Sequence, residues 1–177
     1  MHHTVETIFI YKASQPINTL KRIAVVVPPN AKHEQGFQHW FLRVKNIAKE
    51  TGLPIFMYAD TETISSLKMF NYSQSNSVAI SFIPYNGWSA YFGFSQEVST
   101  DDLFIIVSSR KGQLSYNDQL SKLPDFLTRK FENISYIIVY PAQMQNSTFD
   151  DLTTIEENVL EKATKFVKRI FNRNNND

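Results

Sequence analysis

The chain has 177 residues, 42% hydrophobic and 20% charged, with a net charge of +1 and no cysteine. That length and composition suit one globular domain rather than a disordered chain. Near-zero charge argues against nucleic acid as a partner. The missing cysteine rules out disulfides, thiolate metal sites and a cysteine nucleophile, and suits a reducing cytosol.

In chain order, Thr7 to Tyr11 is a short β-type run, broken by Gln15-Pro16-Ile17-Asn18. Ile23 to Val27 is a continuous, mostly β-branched run, the pattern of a strand buried on both faces, and Pro28-Pro29 ends it. Phe37, Trp40, Phe41, Val44, Ile47 and Ala48 repeat at helical spacing. They predict a helix from Gly36 to Glu50 with His39, Arg43, Lys45 and Lys49 on its polar side and Gly52 at its left-handed stop. Ile55 to Tyr58 reads as a second buried strand, and Asp60 or Thr61 caps a short helix carrying Ile64, Leu67 and Phe70. Val78 to Ile83 is a third strand. Trp88, Tyr91 and Phe92 fit a short helix, Leu103 to Val107 a fourth strand, Leu123 to Phe131 a helix with Pro124 in its first turn, and Tyr136 to Tyr140 a fifth strand. A last helix begins at Thr153 or Thr154, each followed by a glutamate at capping-box spacing; Asn172 to Asp177 is a polar tail.

Strands alternating with helices predict an α/β fold: a doubly wound, Rossmann-like, five-stranded parallel sheet of order 3-2-1-4-5 with helices on both faces. The short N-terminal strand and the C-terminal helix lie outside that sheet. Three regions follow: 1–20 as N-terminal strand and linker, 21–142 as the α/β domain, and 143–177 as C-terminal helix and tail. The fifth strand would be an apolar edge, Tyr136-Ile137-Ile138-Val139-Tyr140, without lysine or internal proline, and it invites pairing into a homodimer.

A ligand in such a fold sits where the winding reverses, between the first and fourth of these strands. The loops there are Pro28 to Ala31, with Asn30, and Ser108 to Ser115. Ser108, Ser109, Arg110, Lys111, Gly112 and Ser115 offer hydroxyls, cations and an exposable amide, the chemistry for a small anionic ligand. No Gly-x-Gly-x-x-Gly, Walker or Gly-x-Ser-x-Gly pattern occurs, and all four histidines lie within the first 39 residues. No catalytic residue, metal ligand set or cofactor is therefore expected. Asp101-Asp102 reads as a solvated turn at the wrong end of the sheet. No run approaches the roughly 20 apolar residues of a membrane helix.

The order of elements resembles the universal stress protein family. The segments Lys21 to Ala31, Glu34-Gln35-Gly36-Phe37 and Val107-Ser108-Ser109-Arg110-Lys111-Gly112 are similar to stress-protein-type domains at the cytosolic C-terminal end of bacterial sodium or potassium/proton antiporters. The resemblance covers most of Ile8 to Pro141. It implies a soluble regulatory domain on the cytoplasmic side of the inner membrane, partnered by the membrane transport domain of the same parent protein. Nucleotide-binding stress proteins resemble one another in an aspartate after the first strand and a Gly-x2-Gly-x9-Gly-Ser/Thr run after the fourth. Here Pro28-Pro29-Asn30 stands at the first place, and Ser108, Lys111 and Ser121 fall near the glycines. That departure argues against ATP. A free-standing universal stress protein binding a nucleotide, and an adenylate-transferring enzyme on a related fold, are the alternatives.

Overall fold

The computed structural model describes residues 6–72, 78–94 and 97–142. The chain divides into two compact units, Met1–Gln143 and Met144–Asp177. The expected C-terminal helix lies outside the described residues.

The strands are β1 (Ile8–Lys12), β2 (Arg22–Val26), β3 (Ile55–Ala59), β4 (Ile80–Pro84), β5 (Asp102–Val107) and β6 (Ser135–Tyr140). The helices are α1 (Phe37–Thr51), α2 (Thr61–Tyr72), α3 (Gly87–Gly93) and α4 (Leu123–Lys130). They form an α/β fold around one six-stranded, mostly parallel sheet ordered β1-β6-β5-β2-β3-β4. The expected count of five strands and the order built on it are thus corrected. The added strand is β1, which runs antiparallel to β6 from Ile8 opposite Tyr140 to Lys12 opposite Tyr136. Its pairing also corrects the expected edge: β6 lies between β1 and β5, so its amides and carbonyls have partners on both sides. No helix among the described residues is long and apolar enough to cross a membrane.

Because β2 and β5 are central, both of their faces are buried, which explains their unbroken apolar runs. Ile23, Val25, Ile105 and Val107 pack on one face under Trp40, Phe41 and Val44 of α1 and Leu67 of α2. Ala24, Val26, Phe104 and Ile106 pack on the other with Tyr91 of α3 and Leu123 and Leu127 of α4. The helix stop is as the sequence indicates, with Gly52 at φ +71°. Just before α1, Gly36 comes very close to the chain leaving β6: a Cβ on it would lie 2.4 Å from the Ala142 amide nitrogen. Only glycine permits that approach.

Two charged residues are placed differently from their expected solvated positions. Lys45, read as part of the polar side of α1, is buried, with its Nζ 2.7 Å from Asn71 Oδ1 at the end of α2. Asp102 is buried too. It receives Arg22 Nε at 2.8 Å and Nη2 at 2.9 Å, and the Ser99 amide at 2.9 Å. Arg22 and Asp102 begin adjacent parallel strands in register, so the pair ties β2 to β5 at their amino ends.

Candidate functional site

The winding reverses between β2 and β5. β2 leads through α1 to β3 on one side, and β5 leads through α4 to β6 on the other. Beyond their carboxyl ends an open α/β sheet leaves a crevice, the usual ligand position. Here polar groups of the two loops at that end bond to one another.

The chain leaves β2 through Pro28-Pro29 and enters a 3-10 turn at Ala31–His33, opened by Asn30 in the left-handed conformation at φ 65°. The turn carries Glu34 inward, leaving it only 6% exposed. Three donors of the loop after β5 converge on its Oε1: Ser115 Oγ at 2.5 Å, the Ser115 amide at 3.1 Å and Ser109 Oγ, more distant, at 3.5 Å. An internal carboxylate thus takes the place where the sequence offers hydroxyls and an amide to an anion.

Two tyrosines from the other face close the same end of the sheet. Tyr85 donates its hydroxyl to the carbonyl of Val27, and Tyr91 donates to the carbonyl of Val107 at 2.8 Å. These are the carbonyls just past β2 and at the end of β5. Burial pushes both phenols well above their ordinary values, helped at Tyr85 by Asp60 and at Tyr91 by Tyr85 and Tyr140. Both side chains therefore remain neutral donors.

Comparisons of the chain with protein-family models, with curated proteins and with solved structures found no match.

Of the residues singled out in the sequence, the fold brings Ser109 and Ser115 together on Glu34. Ser108 is buried beside them, and its Oγ makes no close hydrogen bond. It lies near the Tyr140 phenol, which burial raises while Ser108 and the Arg110 charge pull the other way. Arg110 donates to the Glu6 carbonyl at 2.9 Å, and so reaches toward the start of β1. Lys111 is exposed, and Gly112 supplies a turn at φ +94°. Asn30 contributes its backbone conformation. Sequence reasoning missed Glu34, Tyr85 and Tyr91 as parts of the site. Glu34 lies 75 and 81 residues from Ser109 and Ser115 in sequence, so no local pattern signals their meeting. Among the described residues no cluster of histidine and carboxylate side chains could hold a metal ion.

Proposed function

We propose that this chain is a regulatory and interaction domain, not itself catalytic, that belongs to the cytoplasmic side of a sodium or potassium/proton antiporter in the inner membrane. Its partners are the membrane transport domain of the same parent protein and a second copy of itself. The observation that carries this reading is the filled switch point. A nucleotide-binding or nucleotidyl-transferring domain of this architecture needs an open crevice with backbone amides turned toward phosphates. Here the amide and hydroxyls of the β5 loop are spent on Glu34, and phenols cover the neighbouring carbonyls. The resemblance of Lys21 to Ala31, Glu34 to Phe37 and Val107 to Gly112 to antiporter-linked stress-protein domains supplies the class of parent.

The small ligand compatible with this reading is an oxyanion at Ser109 and Ser115, taken in exchange for the Glu34 carboxylate. Because Glu34 is tethered, it competes as an intramolecular ligand at an effective concentration on the order of millimolar or above. Phosphate well below that concentration then leaves the site closed.

The reading frame upstream of Met1 tests the parent class. In-frame membrane-spanning segments are the expected result, and a stop codon directly before Met1 would remove the antiporter from the account.

A further inference from the structure

We infer that the outer edge of β1, with the groove between β1 and α1, is the surface on which a second copy of this chain docks. The inference rests on the reading that the domain acts by contact, and it names the contact.

The edge has the makings of an interface. Among the described residues β6 is the only strand paired with β1, which leaves one side of its backbone ladder without a strand. Ile8, Phe9, Ile10 and Tyr11 are all exposed, Ile10 at 48% and Tyr11 at 57%. Natural sheet edges are usually blunted by a lysine, a proline or a bulge. The one lysine here, Lys12, is turned away: its Nζ donates to the carbonyls of Phe131 at 3.1 Å and Glu132 at 2.6 Å. Beside the strand lies an open groove of about 460 Å³, with Phe9, Ile17 and Ile47 on its walls and Arg43 and Glu50 at its rim.

The groove also indicates which partner fits. Arg43, Ile47 and Glu50 lie along one side of α1, with the two charges two turns, about 10 Å, apart. A two-fold axis through the sheet at Ile10 continues the sheet antiparallel and sets the two α1 helices antiparallel on the same face. Arg43 then faces the partner's Glu50, and Glu50 faces the partner's Arg43. In the same register Phe9 lies opposite the partner's Tyr11, a favourable aromatic cross-strand pair, and Ile10 meets its own copy. Apolar strand, apolar groove and opposed rim charges are therefore complementary to themselves, and they fit a second copy better than a unipolar or purely acidic partner.

Sedimentation equilibrium on the full chain reads the outcome, with circular dichroism to confirm folding of each variant. The expected species is a dimer. Ile10→Lys, which places two like charges on the axis, should weaken it by roughly a hundredfold or more. Arg43→Glu and Glu50→Arg should each weaken it several-fold, and the double charge reversal should restore it. All three side chains are exposed, so the variants leave the core intact. A wild-type monomer overturns the inference. A dimer indifferent to Ile10→Lys, or one that the double reversal fails to restore, overturns this surface while leaving the contact reading of the domain in place.

Discussion

At the carboxyl ends of β2 and β5, polar groups that a ligand could use are bonded within the chain: Ser115 and Ser109 to Glu34, Tyr85 to Val27, Tyr91 to Val107. Along the outer side of β1 the situation is reversed, with four large apolar side chains and one side of a strand facing outward. An open α/β sheet ordinarily presents chemistry at the first place and protects the second. Among the described residues the first place is closed and the second open, the arrangement on which the proposed contact role rests. The two regions share α1. Its approach carries Glu34, and its flank forms one wall of the groove.

The largest effect should come from breaking the element common to both. Trp40→Ala empties the space under α1, where the indole is fully buried against Phe37 and Phe41. A loss of about 3–5 kcal/mol is expected in chemical denaturation. Next is the closed end: Glu34→Ala strands the Ser115 amide and hydroxyl, at a cost of about 2–3 kcal/mol. That variant should gain protection against heating from inorganic phosphate, which wild type should not show. Adding Arg110→Ala and Lys111→Ala should abolish the gain.

Alkaline pH probes the same end more gently. Tyr85 and Tyr91 hold their protons in the folded chain above the unfolded value of about 10. Their contribution is complete below that pH and is lost as pH rises toward the folded values, because the unfolded chain releases protons that the native one keeps. Stability should fall above about pH 10, and in an ultraviolet titration these two of the eight tyrosines should ionise only on unfolding. The smallest effect on folding belongs to the open region. Ile10→Lys should change the denaturation free energy, measured below the concentration at which the chain associates, by no more than about 0.5 kcal/mol.

Local pattern made much of the fold legible. The β-branched run of β2, the apolar run of β5 and the stripe of α1 each state their burial directly. What stayed hidden depends on partners distant in sequence. Thr7 to Tyr11 reads as β-type, but nothing local indicates that Ile8 will pair with Tyr140, so β6 looked like the edge. Asp102 resembles half of a solvated turn until Arg22 is known to start the neighbouring strand. Lys45 sits at a polar position of the helical repeat, yet α2 ends close enough for Asn71 to receive it. The site behaved likewise. The β5 loop was visible as anion chemistry, whereas the anion supplied by Glu34 depends on a left-handed Asn30 and one 3-10 turn.

The central claim is that the switch point is filled by the chain's own side chains and that the domain therefore acts by contact. Isothermal titration of magnesium ATP into the 177-residue chain tests it most directly. The account predicts no saturable binding heat up to millimolar nucleotide. A one-site isotherm with micromolar affinity would contradict it, since the crevice would then open readily and the chain would belong among nucleotide-binding domains.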